Sequence, residues 1–356
     1  MHWNFLQRPS IQMHSKSNVP VTYIGAAIFL LAAFFFSLSI GSVTISLNDI
    51  SATFLHSWFG LGQPVDAQTA AIILNIRLPR VVLACLVGMS LSLAGASLQG
   101  LLRNPLADPY TLGISSGASL GAVLTLSFAW TIPGLAIFSL PIISATFAFI
   151  TLILVILFTN TFDRSMRVES LILTGIITSS FLGAIMSLVI ALSGEELRQI
   201  IGWLLGSVSM RGWSYTLMLL PFFLLASILL LWQVNELNAL AHGENRAHHL
   251  GVNVKRSKWI VLTAASVLAG VAVSVSGTIG FVGLVIPHLV RLITGANHRH
   301  VLPLSVIIGG GYLMLADLFA RTVISPTELP IGVVTALIGA PVFGLLVYAR
   351  ARRNRS

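Results

Sequence analysis

The chain has 356 residues, 56% of them hydrophobic and 9% charged, with a mean hydropathy of +0.92 and a formal net charge of +9. A soluble domain carries roughly 25% charged residues, so the solvent this composition suits is a bilayer, and a large soluble catalytic domain is excluded. The single cysteine, Cys85, lies in an apolar run and excludes an intrachain disulfide framework or a cysteine-cluster metal site.

Charge-free runs mark the spans in chain order, at about 20 apolar residues for each crossing. The first runs from Asn18 to Asn48 and the next from Val81 to Leu102. Pro109 to Phe162 is uncharged throughout and holds two spans, with Pro133, Gly134 and Pro141 at the turn between them. Ser170–Gly194 and Gly212–Asn235 follow, then Trp259–Val290, again long enough for two, Val301–Ala316 and Leu329–Ala349. The expectation is an all-α polytopic membrane protein with ten spans near 21–45, 78–101, 112–131, 138–160, 169–193, 213–234, 259–278, 280–295, 301–321 and 330–349. The eighth carries Pro287, His288 and Arg291 and reads as short or broken. The first run exceeds the 7–15 residues of a signal-peptide core, so it reads as a retained helix.

An even span count puts both termini on one side. With that side the cytoplasm, 15 of the 20 basic residues fall inside, and Arg77, Arg80, Arg198, Arg211 and Arg321 remain outside. That placement accounts for the charge of +9 without any nucleic-acid partner. The organisation is then a cytoplasmic segment 1–20, one transmembrane domain 21–350 with a cytoplasmic loop 236–258, and a basic cytoplasmic tail 351–356.

Leu86, Gly88, Ser92, Gly95 and Pro105 recur as Leu268, Gly270, Ser274, Gly277 and Pro287, at an offset of 182 residues each time. The first copy falls on span two and the second begins on span seven, which run in opposite directions. Two five-helix halves of opposite orientation are the signature of an inverted-topology transporter.

Most apparent catalytic motifs dissolve on inspection. Gly113-Ile-Ser-Ser-Gly117 and Gly117-Ala-Ser-Leu-Gly121 match the nucleophile elbow of hydrolases. They sit in a helical apolar run with no histidine–acid pair to activate Ser115 or Ser119, so the glycines read as a small-residue packing face. His242, Glu244, His248 and His249, and separately His298 and His300, lack the H-E-x-x-H order of a zinc peptidase, and polar loop is their default reading. None of the three lysines follows a glycine, so the chain has no phosphate-binding Walker loop. Asp317 and Arg321, four apart, read as an intrahelical pair, and Arg167 compensates Glu169 at the start of span five. In the longest inner loop, 238–251 forms one short amphipathic helix with Ala239, Ala247 and Leu250 on its apolar side and Gly251 as its stop. The flanking Lys255, Arg256 and Lys258 suit lipid phosphates.

Several long motifs then resemble a known family. Arg77-Leu-Pro-Arg80, Arg103-Asn-Pro-Leu-Ala-Asp-Pro109, Leu112-Gly-Ile-Ser-Ser-Gly117, Gly277-Thr-Ile-Gly-Phe-Val-Gly-Leu-Val-Ile-Pro-His288 and Glu328-Leu-Pro-Ile-Gly-Val-Val-Thr335 are similar to those of the FecCD-type permeases. These are membrane subunits of type II ABC importers for ferric siderophores, haem and cobalamin. The resemblance implies a transport subunit rather than an enzyme, in a bacterial cytoplasmic membrane. Its partners would be a second permease subunit, two ATP-binding cassette subunits inside and an extracytoplasmic substrate-binding protein outside. No cofactor is implied for this chain, ATP being used by the cassette subunits. By resemblance, Ala239, Gly243, Glu244, Ala247, Leu250 and Gly251 belong to a coupling helix that enters the ATPase, and Arg77, Arg80 and Arg321 receive acidic residues of the binding protein. Asn104, Leu106, Val168 and Glu169 fall at the cytoplasmic narrowing of the pathway, where the cobalamin permease has small hydroxyl residues at the last two positions. An ion-gradient transporter with inverted repeats is the alternative; it calls for acidic groups at mid-membrane, and every Asp and Glu here falls near a span end or in a loop.

Overall fold

The structure, a computed structural model, describes residues 19–41, 43–63, 65–163 and 167–353. The expected segment 1–20, apart from its last two residues, lies outside that range, as do Arg164 and the end of the basic tail. The helices are α1 Val19–Ser39, α2 Leu47–Phe59, α3 Ala67–Leu101, α4 Ile114–Ser127, α5 Ser139–Phe162, α6 Val168–Leu192 and α7 Leu197–Leu204. They continue with α8 Gly212–Trp232, α9 Val234–Ala241, α10 Glu244–His249, α11 Val254–Ser276, α12 Val282–Thr294, α13 His298–Thr322 and α14 Ile331–Arg353.

Helices occupy all ten expected windows. By length and composition, α1, α3, α5, α6, α8, α11 and α13 reach across a bilayer, whereas α4, α12 and the apolar stretch Ile331–Leu346 of α14 are shorter. α12 is helical through Pro287, so the eighth window is short but unbroken. The window 21–45 overruns its helix: α1 stops at Ser39, and Ser46 opens a separate helix by accepting the Asp49 N–H at 3.1 Å. An uncharged run conceals such a boundary, and the Ser46–Asp49 cap was the signal for it. The window starting at 78 is too short, because α3 begins at Ala67 and passes through a π-helical turn at Ile72–Arg77. Charge alone set that boundary, yet Arg77 is inside the fold.

α3 and α11 form the centre. α13 lies along α3, α5 along α4 and α11, and α1 packs on the outside of α13. Lipid leaves no hydrophobic drive between helices, so their association rests on van der Waals contact at close backbone approach. A Cβ at Gly95 would stand 2.0 Å from the Gly283 carbonyl oxygen, and one at Gly88 would stand 2.2 Å from that of Gly309. The repeat partner Gly270 packs α11 against α5 at Ala148, 2.9 Å from its own would-be Cβ. The expected small-residue face of α4 is in use too, with Gly117 against Thr151 and Gly121 against Phe147 of α5. Some hydroxyls in these helices return their hydrogen bonds to their own backbone, as Thr125 does to Gly121 and Thr159 to Val155, both at 2.7 Å, whereas Ser144 bonds across to the Ala118 carbonyl at 2.8 Å. At the periphery, α6 exposes Leu173, Ile176, Ile177, Phe181, Leu188 and Leu192, an arrangement suited to lipid or to another helix.

Candidate functional site

The sequence-predicted residues gather at the two ends of the bundle. At one end, the first half of α3 meets the ends of α1 and α13. Arg80 turns its whole guanidinium inward. Its Nε lies 3.0 Å from Asp317 Oδ2 and its Nη2 2.9 Å from Asp317 Oδ1, while Nη1 and Nη2 reach Glu328 at 2.8 and 3.0 Å. Ser209 takes a further contact from Nη1 at 3.3 Å. Arg77 donates to the carbonyls of Leu38, Ser39 and Val43, and Arg321 to that of Ser37. Arg77, Arg80 and Arg321 therefore do come together, but as a buried cluster that ties helices to one another, and not as three open forks facing a partner.

The expected Asp317–Arg321 pair is present, but it is the looser of the two that Asp317 makes. Asp317 is 1% exposed and its tight partner is Arg80; Arg321, the expected intrahelical one, stands 3.8 Å away. The reason is geometric, since an arginine arriving from a neighbouring helix meets both carboxylate oxygens side-on. Glu328 lies in the connection between α13 and α14, where the hydrogen bond from Arg80 holds its carboxyl below the usual range. It stood in a quoted motif, but no local pattern links it to a residue 248 positions earlier.

At the opposite end, the loop between α8 and α11 folds as two short helices rather than one. Gly243 breaks them, with φ at 109°, a conformation that L side chains avoid. The expected apolar side separates as a result. Ala247 is buried against the protein's own core together with Leu237 and Leu240, whereas Leu250 is 70% exposed. Glu244 is anchored by Lys258 at 2.8 Å, so this lysine is engaged within the fold. Gly251, with φ at 84°, closes α10 by donating to the His248 carbonyl.

The turn 103–106 lies beside this loop: a Cβ at Gly243 would stand 3.7 Å from Arg103 Nη1. Asn104 closes the turn by accepting the Leu106 N–H at 2.9 Å, and Leu106 is about half exposed. Val168 packs on the core and Glu169 is exposed at the start of α6. The join between α6 and the 109–112 turn forms at Gly175, whose Cβ would stand 2.4 Å from the Thr111 carbonyl oxygen. Arg167 pairs with Asp163 at 2.9 Å rather than serving Glu169. His298 and His300 take separate partners, Asn238 and Tyr23. Among the described residues, no group of three or more His, Cys, Asp or Glu side chains is placed to hold a metal ion. Sequence reasoning missed Asn238 and the part-buried pair Gln99–Arg291, whose partners are distant in the chain.

Comparison with known proteins gives these ends a context. The model of the FecCD transport family matches residues 29–349. An uncharacterised ABC transporter permease of Bacillus subtilis, YvrB, is 51% identical over 99% of this chain and 100% of its own length. The molybdate import permease MolB of Haemophilus influenzae is 38% identical over 94% of this chain and 97% of its own. Among solved structures, an inward-facing transporter assigned to the metal-chelate type of ABC transporters superposes with a TM-score of 0.81 at 36% identity, covering 93% of this chain and 99% of that one.

Proposed function

The chain belongs to the FecCD transport family, and from that premise we propose that it is the membrane-spanning permease of an ATP-driven importer for a metal chelate. Its relatives are permeases of ABC transporters, which tells against the ion-gradient alternative. The observation that carries the reading is the loop end. The α9–α10 pair is locked to the body by Glu244–Lys258 and by buried Leu237, Leu240 and Ala247, yet it offers Leu250 outward. A rigid surface helix pair with one projecting apolar side chain suits insertion into a groove of a motor subunit. Ala239, Gly243, Glu244, Ala247, Leu250 and Gly251 are its positions.

In this reading ten helices cross the bacterial cytoplasmic membrane, both termini are cytoplasmic, and the halves are inverted. The packing supports the inversion: Gly88 joins the second expected span to the ninth, and Gly270 joins the seventh to the fourth, so advancing each span by five maps one contact onto the other. A second copy of the chain completes the central pathway, and α6 and α14 carry the exposed apolar faces for it. Two cassette subunits hydrolyse ATP, and the permease contributes no catalysis. Asn104, Leu106, Val168 and Glu169 narrow the pathway at the cytoplasmic side.

A substrate-binding protein docks at the arginine end. Since Arg77, Arg80 and Arg321 are engaged internally, they shape this surface, and a partner carboxylate reaches Arg80 by displacing Glu328. A ferric siderophore is the proposed cargo, with haem, cobalamin and molybdate as the comparison set. Purification in mild detergent from the native host, followed by mass spectrometry, tests the assignment. A stoichiometric soluble chain with a Walker loop is the expected result; a permease that arrives alone even after crosslinking overturns it.

A further inference from the structure

The loop end holds a polar thread, buried at His298 and Gln99, that runs from α9 to the turn 103–106. Asn238 on α9 accepts the backbone N–H of His298 at 2.9 Å, and the same Oδ1 lies 2.9 Å from His298 Nδ1. A backbone N–H only donates, so that atom of Asn238 is the oxygen, and Nδ1 of the imidazole carries the proton. Asn238 Nδ2 donates to Asn297 Oδ1 at 3.0 Å, which completes the anchor. His298 is 3% exposed, and its Nε2 points at α3, where a Cβ on Gly100 would stand 2.4 Å away. The imidazole therefore rests directly on the backbone of α3.

From that contact the thread continues. Gln99, the preceding residue, donates to the carbonyls of Gly283 and Leu284 on α12 at 3.1 and 3.3 Å and accepts from Arg291. Arg291 also reaches the Ala96 carbonyl at 3.3 Å. Beyond Gly100, Arg103 turns with φ at 48° beside Gly243, and Asn104 and Leu106 follow.

We infer that His298 is the positioning residue through which movement of the α9–α10 segment reaches the end of α3 and the Asn104–Leu106 turn. The inference rests on the permease reading above. The linkage works in both directions. Two hydrogen bonds donated to Asn238 draw His298 along with α9, and hard contact with a residue that lacks a side chain pushes on α3. A physical account of coupling needs an element that both sites bias, and His298 touches both.

The experiment uses the permease with its co-purified ATPase in proteoliposomes. In a Cys85→Ser, Leu106→Cys reporter, labelling by an impermeant maleimide is timed without nucleotide and after vanadate trapping with ATP. The parent reporter is expected to change its labelling rate by about fivefold or more. His298→Asn keeps a donor for Asn238 but withdraws the ring from Gly100. It is expected to retain ATP hydrolysis within about twofold while the labelling response falls below about twofold. Asn238→Ala, which frees the ring from α9, is expected to do the same. A merely structural role would lower assembly and hydrolysis together, and that outcome overturns the inference. So does a full labelling response in both variants, or a parent reporter that ignores nucleotide. Failure to recover any ATPase overturns the permease reading itself.

Discussion

The two ends of the bundle are held together by different balances of charged and neutral contacts. At the arginine end, charges lock α1, α3, α13 and the α13–α14 connection through Arg77, Arg80, Arg321, Asp317 and Glu328. At the loop end one ion pair, Glu244–Lys258, fastens α10, while His298, Asn238, Asn297 and Gln99 join helices largely through neutral hydrogen bonds, with Arg291 at the thread's far edge. The energetic consequence differs sharply. Removing one partner of a buried ion pair strands the other charge and costs about 3–5 kcal/mol. A neutral hydrogen bond contributes about 1 kcal/mol net. The arginine end is therefore built to resist distortion, and the hydrogen-bonded thread of the loop end can shift at modest cost.

The strongest way to break this comparison is Asp317→Asn. It leaves Arg80 with only the half-exposed Glu328 and removes the acidic neighbour of Arg321. The expected loss is about 3–5 kcal/mol, read as a large fall in the thermal unfolding midpoint in detergent. A fall no larger than that of loop-end variants would mean that the cluster is solvated and not a clamp. Asn238→Ala comes next. It removes two bonds from His298 and leaves a buried Nδ1–H without its acceptor, at a cost of about 2 kcal/mol. Hydrogen exchange should rise across α9, α10 and the start of α13 and stay unchanged at the arginine end. Glu244→Gln is smaller, about 1 kcal/mol, since Glu244 is a third exposed. Its effect should appear as faster exchange in α10 with little change in global unfolding.

The same contrast explains what could be seen in advance. The membrane-length helices were legible, because each window is built around a charge-free run that a bilayer selects. Boundaries set by charge were not, since Arg77 lies within the fold, and α2 begins behind the Ser46 cap at the end of the first charge-free run. The motif Glu328-Leu-Pro-Ile drew attention to Glu328, and Arg77-Leu-Pro-Arg80 to the arginines, but not to one another. Their pairing spans almost the whole chain and arises only when α13 lies along α3. The loop helix was visible as a segment of helix formers; its break at Gly243 follows from a backbone angle that composition does not encode. His298 illustrates the limit most clearly. As one of two histidines it read by default as exposed polar loop, whereas its burial and its bonds to Asn238 come from three helices meeting.

The rim of the clamp sharpens the comparison by its pH response. Arg80 holds the Glu328 carboxyl below its usual range, so the bridge is fully present above the unfolded glutamate value of about 4.3. It is lost as pH falls through the lower folded value, where the carboxyl takes up a proton. Glu328 is 39% exposed, which limits the contribution to less than about 1 kcal/mol, less again in high salt. Glu328→Gln should therefore unfold slightly earlier than the native chain at neutral pH in dilute buffer. That difference should close in strong acid and shrink with added salt. Equal midpoints at neutral pH would assign the clamp wholly to buried Asp317. A difference that persists in acid would mean that the glutamine disturbs packing of the α13–α14 connection, with no part played by the charge.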